Sequence, residues 1–362
     1  MLKNTKSVNT TSVERLVKLW EKRYVPDLST FFLQQDSLSI SQLIEATSKE
    51  GRAKTAAKVQ RLMQTNCECA GIRTDILFSY IPNLVNLSET QRLVQFVLQV
   101  YGKAVEIYKQ QPPLSASLAE VSRPLVSVNL SNRAFLELAR PALEVPAMEQ
   151  FAMLLEPVIK QLREQHKLAK DKRTIGFIST QFHFSTELVL QKITPVEQVL
   201  LNPYFKFVEE QVCIPLQRVC YAAAQHNSDS PILAIVEQLL PLSREISSTV
   251  YRRATQLNPN YRSLRGKLSH PRVMASTLRD LEMLQVYLWV CILEGNMTAV
   301  EQELLPLCIM VFPSVEVTWD LVKQMLQLLM DELIARVKPA HKHRLLPYTQ
   351  AMQQVLSQLE TT

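Results

Sequence analysis

The sequence predicts an all-α protein, and three observations predict it. Glycine is scarce, 6 in 362 residues, and tight β-hairpins depend on glycine for their positive φ angles. Hydrophobic residues make up 47%, enough for a packed core. Apolar residues recur at three- and four-residue spacing along most of the chain, and prolines mark the breaks between such runs.

The elements follow in order. Val13, Leu16, Val17, Leu19 and Trp20 set a helical period over 12–24, with Ser12 at its start and Pro26 as its stop. Further helices are expected at 38–48, 51–66, 73–80 and 89–110. The last places Leu93, Val94, Val97, Leu98, Tyr101, Val105 and Tyr108 on one face, behind Ser88 as N-cap. Pro112, Pro113 and Pro124 interrupt the pattern over 111–131, and a longer helix then spans 146–166. The cation-rich stretch 167–174 reads as a solvated link. Ile175, Phe177, Phe182 and Phe184 partly alternate, which makes 175–184 the one place for a short strand. Beyond Pro195 the helices lengthen: 203–227, 231–257, 271–294, 298–311, 316–338 and 341–359. A chain of this length has room for two domains. The reading is an N-terminal helical domain of unassigned role over 1–190 and a second helical domain over 195–362.

Bulk properties narrow the function classes. The formal charge of +6 is mild and comes from local clusters, so it does not mark the whole chain for nucleic acid. The sharpest cluster lies between residues 251 and 279, where Arg252, Arg253, Arg262, Arg265, Lys267, Arg272 and Arg279 occur with no acid. That pattern fits an anion-binding face or a solvated loop; without an aromatic-interleaved basic stripe it argues against RNA or DNA. Six cysteines are present. Cys291 and Cys308 sit in apolar runs as buried thiols, and Cys67 with Cys69 forms a Cys-x-Cys without a second ligand cluster for a metal. The polar start gives no signal peptide, and no apolar run reaches the ~18 residues of a membrane helix. The expectation is a soluble, cytoplasmic protein with reduced thiols. No Gly-rich phosphate loop, His-Glu-x-x-His or nucleophile elbow occurs, so the chain is expected not to be an enzyme.

The most informative stretch is 271–296. Arg272, Met274, Ala275, Arg279 and Asp280 fall at fixed spacing along one helix, and Gly295-Asn296 closes it. This register resembles the chromophore-carrying helix of phycobiliproteins, the globin-like bilin-binding proteins, in which the helix reads Arg-x-Met-Ala-x-Cys-x-Arg-Asp. The resemblance covers a little under half the chain, and the helix order after Asn296 follows that of the family. It implies a globin-like fold for 195–362. The missing attachment cysteine and the extra N-terminal half make the bilin-biosynthesis-associated globins of cyanobacteria the most similar branch. Thr277 stands where the family has its attachment cysteine. A hydroxyl is far less nucleophilic than a thiolate, so any bilin would be held non-covalently.

A linear tetrapyrrole carries two propionates and a row of pyrrole N–H donors. Guanidinium groups suit the propionates, and a carboxylate can accept from several N–H groups at once. The resemblance therefore implies Arg272 and Arg279 as propionate partners, Asp280 as the pyrrole acceptor and Tyr287 as a wall of the cleft, with Thr277 beside the pigment. Adjacent helix positions point about 100° apart, so Arg279 and Asp280 are not expected to pair directly; an i,i+3 partner for Arg279 is Glu282. Haem is disfavoured because 298–312 holds no histidine for a proximal ligand; His183, His341 and His343 lie elsewhere. The implied work is bilin binding or handling in support of tetrapyrrole pigment production or antenna assembly, alongside bilin-synthesis enzymes or phycobilisome proteins. The alternative is a pigment-free scaffold or regulator, including a homo-oligomer, since domains of this family pair through their helices.

Overall fold

Few glycines and capped amphipathic runs do produce an all-α chain. In the computed structural model, residues 10–24, 40–81, 86–114, 148–168, 171, 173–213 and 216–357 are described. Among them the only strands are Arg262–Ser263 and Gly266–Lys267, one antiparallel pair. The chain divides into two compact units. One comprises Met1–Arg23, His166–Gly176 and Cys213–Thr362; the other comprises Tyr24–Gln165 and Phe177–Val212. The sequence places one boundary between 190 and 195, whereas the units change over at Arg23, Gln165, Gly176 and Val212.

The helices of the unit built on Tyr24–Gln165 are α2 (Ile40–Thr47), α3 (Lys49–Leu77), α4 (Leu87–Lys109), α5 (Met148–Leu168), α6 (Thr174–Leu190) and α7 (Pro195–Cys213). Two expected helices, 51–66 and 73–80, are one. Cys67, Ala70 and Gly71 are buried and carry α3 through the gap. A Cβ on Gly71 would sit 3.2 Å from Val94 Cγ2, so this glycine serves close approach to α4 rather than a break. Ser48 caps α3 by accepting from Gly51 N–H at 2.9 Å, and Asn86 with Glu89 forms a reciprocal capping box on α4. Asn86 therefore caps this helix, two positions before the expected Ser88. The strand expected within 175–184 is helix α6. Gln181 donates to Cys67 O at 2.9 Å and Tyr101 donates to Phe182 O at 3.0 Å. A helix packed on several sides is apolar all round, and its sequence loses the 3.6-residue signature. Tyr101 packs edge-on to Phe205 and Phe151 stacks on Phe207, with centroids 4.8 and 4.7 Å apart.

The second unit holds α1 (Thr10–Glu21), α8 (Leu216–Ala224), α9 (Pro231–Leu239), α10 (Ser243–Leu257), α11 (Pro271–Glu294), α12 (Leu305–Ser314), α13 (Trp319–Arg336) and α14 (Lys342–Ser357). Helix α11 is its centre and packs against α8, α9, α10 and α14. Its ends are those expected: Pro271 at the first position, and Gly295 just past the end at φ 72°, where a side chain would be strained. The helix expected over 231–257 is broken by a 3-10 turn at Leu240–Leu242, because Pro241 removes an N–H from the ladder. The helix expected from Pro203 starts at Pro195 and runs through it. The break expected between 311 and 316 falls later, between Ser314 and Trp319, around Glu316, whose φ is 57°. Most of the expected breaks over 111–131, and the stop at Pro26, lie outside the described residues. Among the described residues no helix is long and apolar enough to cross a membrane.

Candidate functional site

Helix α11 carries all five sequence-predicted site residues, and it sets them in unlike surroundings. From Arg272 to Asp280 every residue except Val273 is exposed or half-buried; from Leu281 to Leu293 every residue except Met283 is buried. Arg272 is exposed, and its backbone N–H is capped by His270 Nδ1 at 3.3 Å. The Thr277 hydroxyl donates to Val273 O at 2.8 Å; it serves its own helix, a common use of a mid-helix threonine. Tyr287 lies at 1% exposure among core residues.

Arg279 and Asp280 pair with each other, contrary to expectation: Nη2 and Nε lie 3.1 and 3.3 Å from Oδ1. The 100° separation of adjacent positions constrains Cβ directions, but the arginine stem is long enough to fold its guanidinium back across that angle. Side-chain exposures of 35% and 29% leave the pair accessible. One helix turn deeper, Glu282 accepts from Arg23 Nη2 at 3.4 Å, with both side chains below one-tenth exposed. Asp280 also acts inward: Cys308 is buried, burial pushes its thiol pKa upward, and the Asp280 charge adds to that rise.

The buried half of α11 is held by its own polar contacts. Gln285 donates to Ser243 O at 3.0 Å and to Ser247 Oγ at 2.9 Å on α10. Its carbonyl oxygen and Trp289 Nε1 are both enclosed without a hydrogen-bond partner. Trp289 is completely buried, so this ring fills part of the interior.

The basic segment before α11 forms the small hairpin. Arg262 stands directly opposite Lys267, and Ser263 opposite Gly266. Leu264 and Arg265 make the tip, with Leu264 at 61% exposure. The backbone is clamped from several sides. Leu264 N–H donates to Val315 O at 3.0 Å, and Tyr251 Oη donates to Leu268 O at 2.7 Å. Tyr261 Oη accepts from Thr318 N–H at 2.9 Å and donates to Glu316 O at 3.3 Å. Two tyrosines within the basic stretch are thus used as backbone clamps, not as stacking platforms. The side chains of Arg262, Leu264 and Lys267 project into solvent, and the nearest acid of the clamp, Glu316, is exposed beside them. The basic cluster was legible in the sequence; the hairpin that displays it was not, because a two-residue strand has no period to detect.

The remaining candidates are dispersed. Cys67 is buried and Cys69 exposed, so the Cys-x-Cys thiols face different surroundings. His183 is half-buried with Nδ1 3.5 Å from Glu209, and His343 is exposed on α14. Comparison with protein-family models, curated proteins and solved structures finds no match to this chain.

Proposed function

We propose that the chain is a non-enzymatic accessory protein acting as a pigment-free scaffold or regulatory interaction protein, with the basic hairpin and the exposed half of α11 as its working face. The hairpin is the observation that carries this reading. Its backbone is clamped, yet Arg262 faces Lys267 across the strand pair. Like charges in that position are unfavourable. An acidic protein surface turns the repulsion into attraction, and Leu264 supplies the apolar contact such interfaces need. The register along α11 implies the partner class: bilin-synthesis enzymes, phycobilisome proteins or a second copy, met by a globin-like domain. Co-sedimentation with purified phycobilisomes at low salt tests it. The double variant Arg262→Glu/Lys267→Glu should abolish sedimentation; equal sedimentation of wild type and variant, or none by wild type, removes the support for that partner.

A second reading, non-covalent bilin handling, draws on Arg272 and on the accessible carboxylate of Asp280. It is the weaker reading because Tyr287 is enclosed, Trp289 fills the interior, and Arg279 already neutralises Asp280. Titration with biliverdin separates the two. Under the bilin reading the absorbance spectrum shifts and Asp280→Asn weakens binding about tenfold, the size of one charge-assisted hydrogen bond. Acid denaturation then releases the pigment, because Thr277 offers no thiolate. Under the scaffold reading the spectrum stays that of free pigment.

A further inference from the structure

Helix α3 has two sides with apolar residues, and its own unit covers one of them. On the inner side Cys67, Ala70, Gly71 and Thr74 are buried, and Gly71 lets Val94 of α4 approach closely. On the outer side Thr65, Cys69, Ile72 and Ile76 are exposed, with Ile72 at 60% and Ile76 at 68%. Tyr80, just past the end of the helix, adds a ring at 54% exposure. An isoleucine left in water contributes nothing to the stability of its own unit, and neighbouring exposed apolar side chains mark a surface that meets a partner.

The spacing of the outer side is specific. Thr65, Cys69, Ile72 and Ile76 stand four, three and four positions apart. That alternation averages about 3.5 residues and draws one seam along a helix, the pattern by which two helices pack side by side. The flanks of the seam identify the occupant. Glu68 and Arg73 lie on opposite flanks, and both are exposed. Glu68 accepts from Gln64 on its own helix, and among the described residues neither Glu68 nor Arg73 has an ion pair. In a parallel pair of helices, a residue on one flank faces the residue five positions further on in the partner. Glu68 and Arg73 are five positions apart. Two copies of α3 therefore bring Glu68 to the partner's Arg73, and a two-fold axis makes that contact twice. An antiparallel pair joins like flanks and does not make it.

We propose that the outer side of α3 is a self-association surface: two copies of this chain join in parallel along Thr65, Cys69, Ile72 and Ile76, with a Glu68–Arg73 pair closing each flank. The apolar layers supply the attraction. The ion pairs stay near solvent, so they add little affinity and instead set register and direction. The seam is short, which makes the dimer reversible rather than obligate. The surface lies in the other compact unit from the hairpin and does not depend on the function proposed above.

The test is sedimentation velocity of the full chain from about 1 to 100 µM, the range of a reversible dimer. Wild type should pass from monomer to dimer as concentration rises. Ile72→Asp/Ile76→Asp should weaken the dimer at least about a hundredfold and keep the wild-type circular dichroism spectrum, because both side chains are exposed. Glu68→Arg and Arg73→Glu should each weaken it about tenfold through like-charge contacts, and Glu68→Arg/Arg73→Glu should restore it. Mixing the two single variants should restore it as well, because one chain then offers only arginine and the other only glutamate at these positions. Should Ile72→Asp/Ile76→Asp not fold, the charge variants decide. A wild type that stays monomeric, a dimer untouched by the isoleucine variants, or no recovery on mixing overturns the proposal. So does a dimer that is lost only in Arg262→Glu/Lys267→Glu, which would assign self-association to the hairpin.

Discussion

The two halves of α11 are one regular helix with opposite surroundings. Residues 272–280 lie in or near solvent with Val273 as the exception, and residues 281–293 lie in the core with Met283 as the exception. Arg272, Arg279 and Tyr287 recur at near-heptad spacing, so helical geometry alone treats them as neighbours on one face. The structure separates them by depth. A helix that dives into its unit changes solvent along its axis, and a residue pattern read around the axis is blind to that change. The exposed half is where a partner or ligand can be met; the buried half is where stability is made.

Deleting the largest buried ring is the strongest way to break this contrast. Trp289→Ala should cost about 3–5 kcal/mol, the usual range for an enclosed tryptophan. Met274→Ala, at 42% exposure on the other half, should stay within about 0.5 kcal/mol. Urea unfolding followed by far-ultraviolet circular dichroism measures both. Similar losses at the two positions would erase the distinction.

The boundary between the halves has its own test. Glu282 is the first buried acid of α11, and Arg23 neutralises it. Arg23→Met removes the cation beside that carboxylate and should cost about 3 kcal/mol, whereas Arg23→Met/Glu282→Leu should recover most of the loss, since a buried pair is often replaceable by apolar residues. A double variant no more stable than the single one would show that the pair is not the reason Arg23 matters.

Much of the fold was legible in the sequence, and the parts that were not share a cause. Pro271 and Gly295 fixed the ends of α11 because they act through local backbone chemistry. The helicity of α6 was obscured because burial on several sides fills every face with Phe, Ile and Leu. The gap expected between 66 and 73 is helix because Gly71 there serves contact with Val94, a residue 23 positions away. Within the site, the types and spacing of Arg272, Arg279 and Asp280 could be read, but the Arg279–Asp280 pair needs a side-chain conformation that no spacing encodes.

Thiol chemistry sharpens the contrast kinetically. Burial pushes the Cys291 thiol to a pKa of about 11. At pH 8 it is almost wholly protonated and enclosed, so iodoacetamide should leave it unmodified in the native protein. A cysteine introduced by Thr277→Cys, at a half-buried position, should react within minutes. Because the folded pKa of Cys291 is raised above its unfolded value, its contribution to stability is complete below about pH 8.5. That contribution is lost as pH climbs toward 11. Cys291→Ala should flatten that alkaline loss. Rapid native alkylation of Cys291, read by peptide mass spectrometry, would contradict the assignment of residues 281–293 to the core.

The smallest expected effect is on the exposed half and is the most discriminating for function. Asp280→Asn removes the charge that Arg279 pairs with at 3.1 Å. Both side chains are about a third exposed, so water and salt screen the pair, and its loss should cost no more than about 0.5 kcal/mol. The amide keeps an acceptor oxygen for Arg279, which limits the cost further. If the pair merely decorates the surface, the variant should match wild type in phycobilisome co-sedimentation and in its response to biliverdin. If Asp280 belongs to a recognition surface, one of those two readouts changes while the urea midpoint does not. A stability loss above about 2 kcal/mol would mean instead that this carboxylate holds the fold. The line between surface and core would then have to be drawn before residue 280, and the contrast between the halves would lose its polar side.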